Sequence, residues 1–384
     1  MESFEFYNPT KIVFGQGVVQ KLSRLLPSQK VMLLYGGGSI KKNGVYEQII
    51  KSLAHCEIVE LSGVQPNPTY EKAMEAVEII RREKVDFILA VGGGSVIDSA
   101  KFIAAAVYYT HKDPWQICLG GAKEIKKALP FGVVLTLPAT GSEMNMFSVI
   151  SRGDQKMAFG HPTVFPQFSL LDPTMTFSLD QRQVGNGIVD AYVHVLEQYL
   201  TFPAGAPLQD RFAESVLMTL LEEGPKSYAN PTDYSARANH VWCATMALSS
   251  VFGGGVPQDW STHGIGHELT ALYGIDHART LAIVWASNMR VRKNHKMEKM
   301  VQYGKRVLNL SGSDEEIFEE AIEKTNAFFE SVGVPTSFKA YPEVKADVSE
   351  VVVERFKTRG FEPMGEKQDL TLEKISRALS MAFH

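Results

Sequence analysis

The sequence predicts a two-domain protein of the α/β plus all-α class. A Rossmann-like domain with a parallel sheet (residues 1–178) precedes an all-helical domain (residues 179–384). Three observations support this prediction. The length of 384 residues exceeds one ordinary compact core. Short apolar runs alternate with amphipathic helical patterns in the first part, and long helical patterns dominate after about Asp180.

Three apolar runs in the first part are typical of buried strands that end in turn residues. They are residues 31–35 before three glycines and Ser39, residues 87–91 before three glycines and Ser95, and residues 131–136 before Leu137. A helical pattern beginning at Tyr70 separates the first two runs. Strands separated by helices predict right-handed βαβ crossovers and a mainly parallel sheet.

The second part contains mainly helical periodicity. We expect helices over residues 187–201, 208–223, 236–252 and 314–332. The boundary is placed at residues 178 and 179, because the segment from Thr176 to Asp180 resembles a helix start that follows a loop.

Composition excludes several classes of protein. A hydrophobic share of 45% and a charged share of 21% are typical of globular chains, and the net charge of −4 argues against nucleic acid or an anionic membrane as partner. The three cysteines form no C-x-x-C motif, so a disulfide framework or thiolate zinc site is not expected. No secretory signal or membrane-spanning run is recognisable, which predicts a cytoplasmic protein.

Two short windows carry a pattern of one carboxylate and several imidazoles that predicts a metal site. Asp190 and His194 are four residues apart, as are His263 and His267, so each pair projects from one face of a helix; His277 follows ten residues later. Such donors suit Fe(II), Zn(II), Ni(II) or Mn(II) better than Ca(II) or Mg(II). Spacing alone leaves open which of His263 and His267 binds the ion.

The glycines at residues 92–94 follow a strand pattern and open a helical one. Glycine lets the backbone approach a pyrophosphate, and the helix start offers N–H groups and a positive dipole end. Ser95 adds a hydroxyl donor. The segment is neither G-x-G-x-x-G nor a Walker motif with its lysine, which argues against an NTPase.

Residues 37–39, at the end of the first predicted strand, bear on the choice between NAD and NADP. An acidic side chain at such a position would hold the ribose 2′-hydroxyl of NAD, whereas Gly37, Gly38 and Ser39 supply no carboxylate. This leaves room for a 2′-phosphate and favours NADP over NAD.

Taken together, the motifs resemble those of the iron-containing (group III) alcohol dehydrogenases, most of all the butanol dehydrogenase and aldehyde reductase branch. The resemblance covers nearly the whole chain. It rests on Pro66-Asn-Pro68, Gly92-Gly-Gly-Ser95-x-x-Asp98-x-Ala-Lys101, Leu137-Pro-Ala-Thr-Gly-Ser-Glu143, Asp190-x-x-x-His194, His263-x-x-x-His267 and His277.

The resemblance implies roles for particular residues and a dehydroquinate synthase-like arrangement of the two domains. Asp190, His194, His263 and His277 take the metal-ligand positions, and His267 takes that of a catalytic histidine that does not bind metal. The implied cofactor-binding residues are Gly93, Gly94, Ser95 and Asp98 for the pyrophosphate and nicotinamide ribose, Thr136, Leu137 and Thr140 along the same groove, Asn67 near the ribose, and Lys156 for the 2′-phosphate.

We therefore expect a metal-dependent oxidoreductase that transfers hydride between NADP(H) and small to medium aldehydes or primary alcohols. NAD(H) is the alternative cofactor, Fe(II) the expected ion with Zn(II) as its alternative, and a homodimer the expected assembly. Two competing hypotheses are a lyase that uses the nucleotide transiently and a nucleotide-sensing protein with a structural metal. An open coordination position on the ion argues against the second of these.

Overall fold

The computed structural model describes residues 1–26, 29–110 and 112–383. The chain divides into two compact units. The sheet unit comprises Tyr7–Leu179 and Pro231–Thr245, and the helical unit comprises Met1–Phe6, Asp180–Asn230 and Met246–His384. Across the described ranges, no helix is both long enough and apolar enough to cross a membrane.

The described part of the sheet unit contains strands and short connecting helices. The strands are β1 (Lys11–Phe14), β2 (Lys30–Tyr35), β3 (Glu57–Leu61), β4 (Phe87–Gly92), β5 (Phe131–Leu135), β6 (Phe147–Arg152), β7 (Gln155–Gly160) and β8 (Phe168–Leu171). The α-helices that connect them are α1 (Leu22–Leu25), α2 (Val45–Ser52), α3 (Tyr70–Glu83) and α4 (Gly94–Ala106).

Six of these strands form one parallel sheet in the order β1-β8-β5-β4-β2-β3, and β6 and β7 form an antiparallel hairpin. The prediction of a parallel α/β sheet is confirmed, and the three predicted strands correspond to β2, β4 and β5. Their near-continuous apolar sequence follows from burial of both faces of the sheet. Met32 and Leu34 pack into one core cluster, whereas Val31 and Leu33 pack into the other.

The remaining helices belong mainly to the helical unit. They are α5 (Gln181–Tyr199), α6 (Pro207–Ala229), α7 (Tyr234–Ala247), α8 (Ser261–Tyr273), α9 (His277–Val291), α10 (Lys293–Arg306), α11 (Asp314–Ser331), α12 (Val348–Thr358) and α13 (Leu372–Met381). The sheet unit includes α7 as far as Thr245. The prediction of a helical second part is confirmed.

Three predicted helix limits were wrong. The helix expected to end at residue 223 continues to Ala229. The helix expected from residue 187 begins at Gln181, because the Asp180 side chain accepts a hydrogen bond from the Gln183 N–H (2.7 Å) and caps an earlier first turn. The helix expected to reach residue 252 ends at Ala247, and Ser250 then adopts a left-handed conformation with a φ of 67°.

A close approach of α8 and α9 shapes the helical unit. A Cβ atom on Gly266 of α8 would lie 2.9 Å from Oγ1 of Thr280 on α9, so a side chain at this position would push the helices apart. The Thr280 hydroxyl also donates to the carbonyl oxygen of His277 (2.7 Å), the first residue of α9. The contact between Gly266 and Thr280 places the start of α9 beside α8, the helix that carries His263.

Candidate active site

The predicted nucleotide-binding residues follow three neighbouring strands of the sheet unit. Gly37, Gly38 and Ser39 follow β2, the segment from Gly93 follows β4, and the segment from Thr136 follows β5. The chain passes from β2 to β3 on one side and then returns to β4 on the other side of β2. Ligands of open α/β sheets bind at the carboxyl ends of strands where the order reverses in this way.

The turns after β4 and β5 touch each other, which explains two of the glycines. A Cβ atom on Gly93 would lie 2.9 Å from Cβ of Leu137, and one on Gly94 would lie 2.6 Å from Oγ1 of Thr140. The Thr136 N–H donates to the Gly92 carbonyl oxygen (3.0 Å). The structure therefore brings these predicted residues together at the start of α4, where the helix offers N–H groups to an anion.

Ser95 and Asp98 lie in the first turns of α4, and both are half-buried. The Asp98 carboxylate accepts hydrogen bonds from the Ser142 hydroxyl (2.6 Å) and from the Val149 N–H (2.9 Å). Burial raises the pKa of Asp98. Both oxygens thus hold the segment that follows β5, and the contact expected between Asp98 and the nicotinamide ribose stays a prediction.

Buried Lys101 completes this network. It belongs to the motif that begins at Gly92, but the sequence predicted no role for it. Lys101 Nζ donates to Ser142 Oγ (2.7 Å), Asn145 Oδ1 (2.8 Å) and the Phe147 carbonyl oxygen (2.6 Å). Burial lowers the pKa of Lys101 to about 8. The ammonium group therefore joins α4, the helix that begins at the candidate nucleotide site, to the chain between β5 and β6.

Asn67 and Lys156, predicted to contact the ribose and the 2′-phosphate, lie next to each other. Lys156 Nζ donates to Asn67 Oδ1 (2.9 Å) across a separation of 89 residues. Asn67 has a φ of 56°, a left-handed conformation that few residues other than glycine adopt. The Ser151 N–H donates to the Pro68 carbonyl oxygen (2.8 Å), which holds the hairpin of β6 and β7 against this loop.

The predicted metal ligands converge within the helical unit. Asp190 and His194 lie on α5, His263 lies on α8, and His277 begins α9. One donor atom from each of Asp190, His263 and His277 lies within 4.8 Å of the other two. The His194 ring adjoins this group, with its centroid 4.5 Å from that of His263 and its Nδ1 atom 3.6 Å from Asp190 Oδ2.

Hydrogen bonds orient two of the imidazole rings. His194 Nδ1 lies 2.7 Å from the Asp190 carbonyl oxygen, so Nδ1 carries the proton and Nε2 carries the lone pair. His263 Nδ1 makes a short hydrogen bond to the Glu197 carboxylate, which selects the same tautomer. Burial lowers the pKa of His194 and favours its neutral, metal-binding form.

Glu197 was missed by sequence reasoning, although it lies three residues after His194 on the same helix. Burial, together with the nearby Asp259 carboxylate, raises the pKa of Glu197, and the Thr262 and His263 N–H groups oppose this rise because they stabilise the ionised carboxylate. The i, i+4, i+7 spacing of Asp190, His194 and Glu197 was the available signal.

The donor set fits a divalent cation. Asp190 is 3% exposed, yet neither of its carboxylate oxygens has a hydrogen-bond partner among the described residues. A buried carboxylate without donors is costly unless a cation compensates it. One carboxylate with neighbouring imidazoles is a donor set that Fe(II) and Zn(II) accept.

His267 and Trp260 border the donor set without belonging to it. The centroid of the His267 ring lies 4.9 Å from that of His277 and 6.3 Å from that of His263. Trp260 precedes α8 with a φ of 59°, and its indole ring lies 5.3 Å from the His263 ring. The indole ring also lies 6.0 Å from the His194 ring, so it adjoins two of the proposed ligands.

A nucleotide-type parallel sheet combined with a buried donor set of this kind is the architecture expected of a metal-dependent dehydrogenase. Two family descriptions match the chain: "Iron-containing alcohol dehydrogenase" over residues 9–173 and "Fe-containing alcohol dehydrogenase family, C-terminal" over residues 185–382. The chain belongs to the iron-containing alcohol dehydrogenase family.

Individual relatives agree with this assignment. The NADPH-dependent aldehyde reductase YqhD of Escherichia coli is 48% identical over 385 residues, which cover 99% of each chain. A crystal structure of YqhD superimposes with a TM-score of 0.97 at 47% identity and covers 100% of this chain and 99% of YqhD. The NADH-dependent butanol dehydrogenase A of Thermotoga maritima superimposes with a TM-score of 0.94 at 37% identity and covers 100% and 99%.

These comparisons confirm the predicted family, its aldehyde reductase and butanol dehydrogenase branch, and the alcohol dehydrogenase class of enzyme. The expected Fe(II) and NADP(H) fit the family description and the name of YqhD. The lyase hypothesis finds no support among these relatives.

We expect Gly94→Ala to weaken NADPH binding about tenfold and to lower the Tm, because overpacking at the Thr140 contact costs about 1–3 kcal/mol. NADPH fluorescence titration and a thermal melt would measure the two effects. Gly37→Ala is the control for the melt, since a Cβ atom there meets no described atom within 4 Å. Wild-type affinity and Tm in Gly94→Ala would show that this contact is unimportant.

Proposed function

We propose that this enzyme uses NADPH and one divalent metal ion to reduce small to medium aldehydes to primary alcohols, and catalyses the reverse oxidation. Fe(II) is the proposed ion, with Zn(II) as the alternative. The observation that carries the proposal is the convergence of Asp190, His263 and His277 donor atoms within 4.8 Å around a buried carboxylate. The names of the relatives, an aldehyde reductase and a butanol dehydrogenase, support the substrate class.

The four proposed ligands have distinct tasks. Asp190 supplies the one negative charge, and His194, His263 and His277 supply neutral nitrogen donors. When bound, the divalent ion would act as a Lewis acid that polarises the aldehyde carbonyl and stabilises the charge developing on its oxygen. With one carboxylate among the ligands, the site keeps the net positive charge that this role requires. The indole of Trp260 limits access of water to the rings beside it.

The nucleotide supplies the hydride, and the protein supplies binding and orientation. We propose that Gly93, Gly94 and Ser95 bind the pyrophosphate, with Thr136, Leu137 and Thr140 along the same groove. Asp98 is proposed for the nicotinamide ribose, although it would have to share its oxygens with Ser142 and Val149.

NADP(H) is the proposed cofactor for two reasons. Gly37, Gly38 and Ser39 offer no carboxylate that would repel a 2′-phosphate. Lys156 offers an ammonium group held by Asn67. YqhD, a relative with high identity, is named for NADPH, whereas the Thermotoga relative is named for NADH, so the preference varies among the relatives.

Reduction of an aldehyde consumes one hydride and one proton. We propose His267 as the proton-relay residue, because its ring lies beside those of His263 and His277 and imidazole transfers protons near neutral pH.

Three further properties are proposals that rest on the sequence and the family. They are a functional division into domains at residues 178 and 179, a homodimeric assembly and a cytoplasmic location.

Removal of the metal should abolish NADPH oxidation with butanal, and added Fe(II) or Zn(II) should restore it. Asp190→Asn should lower metal affinity and kcat/KM at least ~100-fold, because it removes the charged ligand. The matched control is Asp180→Asn on the same helix, since asparagine also caps a helix start. Full activity in the metal-depleted protein would contradict the proposed function.

We expect Lys156→Ala to raise the KM for NADPH about tenfold while changing that for NADH less than about twofold, since loss of a charge-assisted hydrogen bond costs roughly 1.5–3 kcal/mol. Steady-state kinetics with both cofactors measure the difference, and exposed Lys51→Ala is the control. An equal rise for both cofactors would indicate only a disturbed loop at Asn67.

His267→Ala should reduce kcat about 10²-fold or more and change the pH profile of kcat, because a positioned acid-base group is lost. Metal content, measured on the same preparation, should remain at the wild-type level. Near-normal turnover across the pH range with metal retained would rule out the relay role.

A further inference from the structure

The Glu197 carboxylate is buried inside the helical unit, with 1% of its side chain exposed, and it accepts three N–H groups from α8. Oε1 accepts from the Thr262 backbone N–H (2.6 Å), and Oε2 accepts from the His263 backbone N–H (3.2 Å) and from His263 Nδ1. A single side chain of α5 therefore contacts both the backbone and the ring of a proposed ligand.

The backbone contacts act as a helix cap supplied by another helix. Thr262 and His263 are the second and third residues of α8, and their N–H groups have no acceptor within the helix. Trp260 at the N-cap position makes no side-chain hydrogen bond to them. A carboxylate at this end of a helix is also favoured by the helix dipole. Glu197 thus fixes where α8 begins and where the His263 Cα atom lies.

The ring contact determines which nitrogen of His263 is presented to the ion. A carboxylate accepting from Nδ1 requires the proton on Nδ1 and leaves the lone pair on Nε2. Carboxylate–histidine pairs of this kind also increase the basicity of the metal-binding nitrogen.

Buried cations also hold the segment before α8. The Asp259 carboxylate accepts from Arg292 (2.5 Å) and from Lys296 (2.7 Å), and the Asp259 N–H donates to the Glu197 carbonyl oxygen (2.9 Å). Arg292 also donates to Ser261 Oγ (2.9 Å). The start of α8 is therefore restrained by a second set of contacts, which limits how far His263 can adjust if Glu197 changes.

We propose that Glu197 is the positioning residue of the metal site, which sets the tautomer, orientation and donor strength of His263 and thereby the metal affinity. The inference rests on the proposed function, since it requires that His263 binds the ion. It assigns a role to a side chain outside the predicted ligand set.

The test compares Glu197→Gln with wild type in the full-length chain. Glutamine keeps the size and an oxygen acceptor but removes the negative charge beside Nδ1. Zn(II) dissociation constants come from competition with a chromophoric chelator, and the absorption bands of the Co(II)-loaded protein report the ligand field. Glu214→Gln is the matched control, because Glu214 is a buried carboxylate of the same unit whose hydrogen-bond partners are Tyr199, Gln302 and Arg306.

We expect Glu197→Gln to weaken Zn(II) binding about 10- to 100-fold and to shift the Co(II) bands. Glu214→Gln should leave both unchanged, and Glu197→Asp, which restores a carboxylate, should recover part of the lost affinity. Wild-type Zn(II) affinity and Co(II) bands in Glu197→Gln would overturn the inference while leaving the proposed function intact.

A melt of the metal-free proteins separates positioning from simple capping. If Glu197→Gln lowers the metal-free Tm but its folded form binds Zn(II) with wild-type affinity, Glu197 is only a cap and the inference fails. A wild-type chain that binds none of Fe(II), Zn(II) and Co(II) would overturn the proposed function, and this inference with it.

Discussion

Burial of the Asp190 carboxylate is the constraint on which the candidate metal site depends. An ionised carboxylate removed from water costs several kcal/mol unless a partner of opposite charge compensates it. Asp190 sits on α5 with neighbouring imidazoles and without a hydrogen-bond donor among the described residues. A divalent cation would satisfy this group, and neutral histidines would complete its coordination without cancelling its charge. With a single carboxylate among the proposed ligands, a bound ion would keep the positive charge that stabilises negative charge on a substrate oxygen.

Helix α5 organises the site because three of its side chains project on one face. Asp190, His194 and Glu197 follow one another at helical spacing, so the helix contributes two proposed ligands and the carboxylate that orients a third. The close crossing of α8 and α9 at Gly266 then brings His263 and His277 to the same place. The proposed metal site is therefore a product of helix packing.

In the sheet unit, the corresponding constraint is the contact between the turns that follow β4 and β5. Gly93 and Gly94 permit this contact, and the buried ammonium group of Lys101 holds the following segment through three acceptors. Removing the partners of a buried charged group is strongly destabilising. The end of the sheet at which a nucleotide would bind is consequently joined by contacts that do not require a ligand.

Much of the fold and the site was predictable from sequence because the relevant signals are local. Apolar runs identified β2, β4 and β5, and four-residue spacing identified the pairs Asp190 with His194 and His263 with His267. These patterns depend only on the period of a strand or helix. The choice of His263 over His267 as ligand came from the family motif, since both share one face of α8.

Tertiary structure alone decided the contacts that join distant segments. Glu197 reaches His263 across 66 residues, and Lys156 reaches Asn67 across 89 residues. No periodicity encodes such pairs, because they depend on how helices and hairpins pack. Tertiary structure also decided the histidine tautomers. The sequence determined which histidines are candidate ligands. The Asp190 carbonyl group and the buried Glu197 carboxylate decided which nitrogen the His194 and His263 rings present.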